Sequence, residues 1–222
     1  MRWDQVPAHI PIRQLWYKRR VEVAARATPS FVAPRVDTDI DMAAYLARVP
    51  PDAYCKGMFF HDVLAAVRSV DPAAAQQLTR RRFIPFKDYP LREHMELTEQ
   101  AVRLLYPGVP TREAMRRLGW LAYPTFVDSM IGRVVFGVLG KDLDRIFEVG
   151  PKSFDVSLTR GRAVARRLGP RHWRYEMRDI FGYLDAYYVG VVEGPIRHHG
   201  HVPDVRVHLT TLSDGAMDIR WS

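Results

Sequence analysis

The segment Tyr183–Trp221 decides the fold, and its sequence is YLDAYYVGVVEGPIRHHGHVPDVRVHLTTLSDGAMDIRW. Its first part repeats apolar residues with the spacing of one helix face, which predicts an amphipathic helix. Its second part alternates apolar and polar residues in two runs, from Val205 to Leu209 and from Met217 to Trp221, which predicts two half-buried strands. Ser213-Asp214-Gly215 supplies the turn between these strands.

The predicted helix carries two glycines and one proline with structural meaning. Gly190 and Gly194 lie four residues apart, and small residues at this spacing predict a close contact between helix and sheet. Pro195 lacks the N–H that would bond to the carbonyl of Val191, so we expect the helix to kink or end there.

A second pair of strands precedes this helix. Trp173, Tyr175 and Met177 alternate with polar residues, as a half-buried strand requires. The segment 161–167 is the expected hairpin partner, with a turn at 168–171. Residues 151–222 therefore predict a β-β-α-β-β order with a four-stranded antiparallel sheet and one helix across it.

The N-terminal half has helical spacing and is punctuated by prolines. Helices are predicted in segments that end before Pro50-Pro51, at Asp71-Pro72 and at Pro107-Gly108. A strongly apolar helix is expected to begin at Pro124, continue to Val138 and lie at the centre of this half. The predicted class is α+β: an extension over residues 1–37, then one domain over 38–222 with a helical half (38–150) and a sheet half (151–222).

Composition excludes several kinds of protein. A single cysteine, Cys55, cannot form an intrachain disulfide. Arg2 and Asp4 come early and no apolar core follows them, so no signal peptide is expected. The most apolar run, 118–139, is interrupted by Asp128 and Arg133, which favours a buried helix over a transmembrane segment. We expect a cytoplasmic protein.

The net charge of +8 favours acidic partners. The Arg80-Arg81-Arg82 triplet precedes the aromatic pair Phe83 and Phe86, and guanidinium groups bind phosphate or carboxylate in a bidentate manner. A solvated loop is the simpler interpretation of this triplet. The candidate residues for binding a ligand or an anion are Arg80, Arg81, Arg82, Arg133 and Arg174.

Histidine and cysteine provide the remaining candidate chemistry. His198, His199 and His201 form the only histidine cluster, but adjacent histidines on a helix point about 100° apart and no acidic or thiol ligand follows at a standard spacing, so no metal is expected. His61 and His94 are expected to be boundary or core residues. Cys55 beside Lys56 could have a lowered thiol pKa, although an inert cysteine is favoured. No catalytic motif is present, which predicts a non-enzymatic protein.

From about residue 38 to 222 the chain resembles an uncharacterised paralogous family from myxobacteria. In element order it resembles the haem nitric-oxide/oxygen-binding (H-NOX) fold and its four-vinyl-reductase and TRAPP-like relatives. The residues that carry the resemblance are Cys55–Phe60, Tyr89-Pro90-Leu91, Tyr106-Pro107-Gly108, Arg116-Arg117-Leu118-Gly119, Gly132-Arg133, the Gly137–Gly140 region, Glu193-Gly194 and Asp218–Trp221.

The H-NOX resemblance implies two haem-binding features that this chain lacks. One is a proximal histidine on the helix before the sheet, but residues 147–158, FEVGPKSFDVSL, contain none. The other is a Tyr-x-Ser-x-Arg motif, whose place at residues 175–179 is occupied by YEMRD, without the serine. We therefore expect no haem of the H-NOX type and no other cofactor.

The sequence thus predicts a sensory or adaptor module that binds a small ligand or a protein partner. Whether two copies form a homodimer is left open. The alternative is binding to a polyanion, nucleic acid or nucleotide, through dispersed arginines, although codon bias in a high-GC genome also produces dispersed arginine.

Overall fold

The computed structural model describes residues 29–128, 140 and 142–222. In chain order its elements are α1 (Met42–Arg48), β1 (Tyr54–Lys56), α2 (Gly57–Val70), α3 (Pro72–Leu78), β2 (Asp88–Pro90), α4 (Leu91–Leu105), α5 (Thr111–Asp128), α6 (Leu143–Val149), α7 (Lys152–Ser157), β3 (Arg162–Gly169), β4 (His172–Arg178), α8 (Tyr187–His198), β5 (Pro203–Leu209) and β6 (Gly215–Trp221). This order confirms the predicted α+β class.

Aspartates begin several of these helices, as N-cap chemistry favours. Asp41 accepts a hydrogen bond from the backbone N–H of Ala44 at 3.0 Å, and Asp71 accepts from Ala73 and Ala74 at 2.9 and 3.0 Å. Asp142 caps α6 in the same way. The predicted ends of α1 and α2 are confirmed.

The large sheet is antiparallel throughout, with strand order β3-β4-β6-β5. Its buried face carries the apolar residues that the alternation predicts: Trp173, Tyr175, Met177, Val205, Val207, Met217, Ile219 and Trp221. Val32 extends the edge of the sheet by exchanging two backbone hydrogen bonds with Val207, at 3.0 and 2.8 Å. This part of the predicted 1–37 extension therefore contacts β5.

Proline ends neither α5 nor α8, so a helix start at Pro124 is wrong and α8 does not end at Pro195, while the predicted kink there stays a prediction. Pro195 is buried inside α8, which continues to His198, and Pro124 lies inside α5 instead of beginning a new helix. Each proline removes one backbone hydrogen bond, and burial of the surrounding helix outweighs that loss. Ile196, directly after Pro195, is completely buried. The predicted helix to Val138 lies outside the described residues beyond residue 128.

The glycines of α8 contact another helix, whereas the sequence predicts a contact with the sheet. A Cβ atom on Gly190 would overlap the carbonyl oxygen of Arg116, and one on Gly119 would overlap the carbonyl oxygen of Tyr187. A Cβ atom on Gly194 would lie 3.1 Å from the carbonyl oxygen of Trp120. The absence of side chains at these positions lets α5 and α8 cross at backbone contact distance.

The helical part also extends further than predicted. Gly150-Pro151 marks the expected change to strands, but α7 follows it and the sheet begins only at Arg162. The sequence FEVGPKSFDVSL thus forms the end of α6 and all of α7. Short helices of this length have too few turns for their periodicity to be distinguished from a loop.

Two apolar cores result, one among the helices and one between the sheet and helices α6 and α8. Tyr187 belongs to the first core, while Val189, Val192 and Ile196 of the same helix belong to the second. Leu158 and Tyr188 contact both. The start of α8 therefore lies at the junction of the two cores.

Candidate functional site

Polar side chains from two helices lie at this junction. Helix α2 buries Phe60, Val63, Leu64 and Val67 and places Asp62 beside them, half-buried. Helix α8 begins with Tyr187 and Tyr188, whose rings meet edge to face at 5.7 Å. The junction cluster, as we call Asp62, Tyr187 and Tyr188, combines a carboxylate with two phenols.

The carboxylate of Asp62 has no hydrogen-bond or ion-pair partner among the described residues. Burial raises its pKa to about 7, because a desolvated carboxylate favours its neutral form. The side chain is half-buried, and its oxygens are not among the fully buried polar atoms that lack a partner, so water still reaches them. Asp62 is therefore a partly desolvated carboxylate that a bound donor or cation could reach.

Tyr187 and Tyr188 resemble Asp62 in lacking a hydrogen-bond partner for their hydroxyl groups among the described residues. In the described part of the chain no residue accepts a hydrogen bond from the hydroxyl of Tyr187 or Tyr188, whereas those of Tyr45 and Tyr175 donate to Asp185 and Phe147 at 2.5 and 2.7 Å. Burial raises the pKa of Tyr187, and the negative charge of Asp62 raises it further. Tyr187 is thus a neutral donor near the carboxylate.

Cys55 lies close to both tyrosines, and its thiolate, when it forms, raises the pKa of each. It is 1% exposed, and burial raises its thiol pKa to about 12. Lys56 does not activate it, because its ammonium pairs with Asp88 at 2.7 Å. The alternative of a lowered thiol pKa is therefore wrong, and the thiol stays protonated at neutral pH.

The haem site of the H-NOX type does not fit these residues. Helices α6 and α7 contain no histidine that could be an axial ligand. The hydroxyl of Tyr175 donates to the backbone carbonyl of Phe147, and Met177 occupies the serine position with its side chain in the core. Asp179 stands where the motif has arginine. A carboxylate there would repel a propionate instead of binding it.

The four candidate arginines that the structure describes do not converge on one site. Arg80 and Arg82 are exposed in the loop between α3 and β2. Arg81 pairs with Glu93 at 2.5 Å, and its guanidinium lies 4.9 Å from the ring centre of Tyr89. Arg81 therefore has a structural role that Arg80 and Arg82 do not share.

Arg174 lies on the outer face of the sheet, far along the chain from the Arg80–Arg82 loop. It donates to Asp218 at 2.8 Å, and its guanidinium lies 4.6 Å from the ring centre of Phe31. Arg133 lies outside the described residues. No finding tests anion binding at these positions, so it stays a prediction.

Several arginines between residues 160 and 178 form surface ion pairs. Arg166 pairs with Glu176, and Arg167 with Asp144 at 2.6 Å. Arg160 pairs with Asp52. All three arginines remain exposed, and exposed pairs are weak, so polyanion binding stays a prediction.

The histidines have mostly structural partners. The Tyr123 hydroxyl lies 3.2 Å from Nε2 of His199, and Nδ1 of His201 lies 3.1 Å from the carbonyl oxygen of Ser222. The ring of His198 packs edge to face on Tyr123. Within the described ranges, no group of three histidine, cysteine or acidic residues could hold a metal ion.

His61 and His94 differ in their surroundings. His61 is exposed, and its Nε2 lies 2.6 Å from the carbonyl oxygen of Phe83. His94 is a core residue, as predicted: it bonds to the backbone of Phe59, packs on Phe60 and leaves Nε2 buried without a partner. Desolvation lowers the pKa of His94 to about 4, so it is neutral at physiological pH.

Sequence reasoning missed the junction cluster. The helical spacing predicts only an apolar helix face for Tyr187 and Tyr188 and gives Asp62 no special role. A signal was present in the run GMFFHDVLAAV, where a carboxylate directly precedes Val63 of the apolar face. An acidic residue at the border of an apolar helix face is usually exposed to water. The sequence therefore indicates a special role for Asp62 only once α8 is known to place Tyr187 near it.

Two shallow surface depressions lie elsewhere. One, of about 220 Å³, is lined by residues around Asp39 and Tyr106, and the other, of about 260 Å³, by residues around Asp144 and Trp221. Neither depression contains a residue of the junction cluster.

None of the described helices is long and apolar enough to cross a membrane.

Comparisons with known proteins agree with the fold. No curated protein matches the sequence. An H-NOX protein from S. oneidensis, solved in the Fe(II) ligation state, matches with a TM-score of 0.61 and 12% identity over 75% of this chain and 96% of its own. An H-NOX variant from T. tengcongensis matches with a TM-score of 0.58 and 16% identity over 75% and 97%.

Identities this low establish a shared fold and nothing about ligands. They confirm the predicted H-NOX-like architecture, while the myxobacterial origin, the cytoplasmic location and a homodimer stay predictions. A family described as "Protein of unknown function (DUF2378)" matches residues 48–222. The chain therefore belongs to the DUF2378 family and has an H-NOX-like fold.

Proposed function

We propose that this protein is a non-enzymatic sensory module that binds a small ligand at the junction cluster, without haem of the H-NOX type. The observation that carries the proposal is the carboxylate of Asp62, which has no partner in the described ranges and whose charge acts on the buried Tyr187. Unpaired polar groups beside buried apolar side chains suit a ligand with an apolar body and a hydrogen-bond donor or cationic group.

The chemistry of the cluster favours binding over catalysis. The Cys55 thiol is protonated and buried, which removes the nearby nucleophile. The tyrosines are neutral donors whose raised pKa values keep them so at physiological pH. The phenols can orient a bound cation and the ionised carboxylate of Asp62 can neutralise it, whereas the protonated thiol and phenols supply no nucleophile.

The position of Tyr187 and Tyr188 supports a signalling role. They open α8, which crosses α5 at backbone contact and also lines the core of the sheet. A ligand that binds one arrangement of this helix better than another shifts the equilibrium between them. A protein partner would then respond to the helix or to the sheet above it.

Thermal unfolding with a panel of small aromatic amines, including tryptamine and benzamidine, tests the proposal. Above about pH 8 Asp62 is ionised, and a ligand at about 100 times its Kd should raise the Tm by about 5 °C or more. Asp62→Asn should lose the shift, while Asp37→Asn, at an exposed aspartate, should retain it. Equal shifts in both variants, or none in the natural protein, would contradict amine binding at Asp62.

A further inference from the structure

The loop between α3 and β2 is an ordered projection held by backbone hydrogen bonds. The N–H groups of Gly57 and Met58 donate to the carbonyl oxygens of Lys87 and Pro85 at 2.9 and 3.0 Å. Lys87 N–H also donates to the carbonyl oxygen of Ile84 at 3.1 Å, which closes a turn. The loop thereby satisfies the free donors at the start of α2, and its shape is fixed.

This turn presents apolar side chains to solvent. Ile84 is 59% exposed and Phe86 is 66% exposed, whereas their neighbours Phe83 and Tyr89 are buried. The buried rings of Phe83 and Tyr89 meet edge to face at 5.1 Å and fix the base of the turn. Two large apolar side chains therefore project from a rigid support, at a cost in hydration that a partner would recover.

The charges around the turn are positive. Arg80, Arg82 and Lys87 are exposed and have no ion-pair partner in the part of the chain that the structure describes. The acidic residues nearby are already neutralised, Asp88 by Lys56 at 2.7 Å and Glu93 by Arg81 at 2.5 Å. The projection thus combines an apolar tip with uncompensated positive charge.

We propose that this turn docks on the surface of an anionic lipid bilayer, with Ile84 and Phe86 inserted among the headgroups and Arg80, Arg82 and Lys87 facing the lipid phosphates. Apolar insertion together with basic residues is the combination that holds proteins at anionic membrane surfaces. A specific protein interface buries about 1,200 Å² or more, which two projecting side chains do not supply. The inference is independent of the ligand proposed at the junction cluster.

Sedimentation of the full chain with vesicles tests this docking. We expect binding to vesicles that contain phosphatidylglycerol and phosphatidylcholine in equal parts, at least about tenfold weaker binding to phosphatidylcholine alone, and loss of binding at high salt. The paired variants Ile84→Ser with Phe86→Ser, and Arg80→Glu with Arg82→Glu, should each weaken binding to the anionic vesicles at least about tenfold.

Matched controls lie elsewhere on the surface. Val202→Ser removes another exposed apolar side chain, and Arg35→Glu reverses another exposed charge; both should bind anionic vesicles as the natural protein does. The proposal is overturned if the natural protein does not bind anionic vesicles, or if the controls weaken binding as much as the loop variants. It is also overturned if light scattering shows a dimer in solution that Ile84→Ser with Phe86→Ser dissociates.

Discussion

Glu193, only 1% exposed in α8, accepts hydrogen bonds from both Nε and Nη2 of Arg116 in α5, at 2.8 and 2.6 Å. The indole N–H of Trp120 donates to the same carboxylate at 2.6 Å. This charge pair lies beside the glycine contact at which the two helices cross. It fixes α8, and with it the tyrosines of the junction cluster, relative to the helical part.

Removing the guanidinium group of Arg116 should therefore destabilise the folded protein. Arg116→Met leaves the buried carboxylate of Glu193 uncompensated, and we expect a loss of about 3–5 kcal/mol in the free energy of unfolding. Urea denaturation measures it. Arg117→Met is the matched control, because Arg117 is half-exposed, unlike the buried Glu193 pair, and binds Glu113 at 2.8 Å, so its loss should be about 1 kcal/mol or less. Similar losses in the two variants would show that burial of the pair is unimportant.

The glycine contact predicts a second large effect. In Gly190→Ala the new methyl group would overlap the carbonyl oxygen of Arg116, and neither backbone can move freely, so we expect a loss of about 3 kcal/mol or more. Gly169→Ala meets no atom within 4 Å and should change stability by about 0.5 kcal/mol or less. If both variants unfold at the same urea concentration, the two helices do not cross at contact distance.

Asp62 predicts an unusual pH dependence. Its pKa is about 7 when folded, against about 3.9 in an unfolded chain, so the native state binds more protons between these values. Its contribution to stability consequently falls as pH rises from about 4 to 7. Asp62→Asn should be more stable than the natural protein by about 2 kcal/mol at pH 8, with a smaller difference at pH 5. A difference in stability that does not vary with pH would exclude a raised pKa.

The lowered pKa of His94 predicts that stability changes with pH in the opposite direction. Its pKa is about 4 when folded, against about 6.5 unfolded, so the unfolded state binds more protons between these values and stability falls as pH falls. His94→Phe removes this contribution, and the variant should gain stability relative to the natural protein between about pH 6.5 and 4. Urea denaturation along this range measures the gain. Parallel curves for the two proteins would contradict a buried neutral histidine.

Sequence reasoning succeeded where one residue pattern dominates. Strands β4, β5 and β6 were predicted because Trp173, Val205 and Met217 each begin a strict alternation, and alternation has a single structural interpretation. It failed at Pro124, and for the end of α8 at Pro195, where the local preference of proline is outweighed by the packing of α5 on α8. Tertiary contacts of this kind leave no local signal.

The candidate site was less predictable than the fold. Arginine triplets and histidine clusters attract attention in a sequence, yet Arg81 pairs with Glu93 and His199 contacts Tyr123. Asp62 also lacks a partner among the described residues, and its importance depends on a helix about 125 residues later in the chain. Whether a carboxylate is satisfied is a property of its neighbours in space, which spacing along the chain does not encode.

Native mass spectrometry of the natural protein and Asp62→Asn, with tryptamine or benzamidine added at the same concentration above about pH 8, tests ligand binding at the junction cluster most directly. We predict a one-to-one complex of the natural protein and an amine, a bare polypeptide mass for Asp62→Asn, and no Soret absorption in either. A bare mass for both proteins, equal binding in both, or a haem adduct on the natural protein would contradict the proposed site.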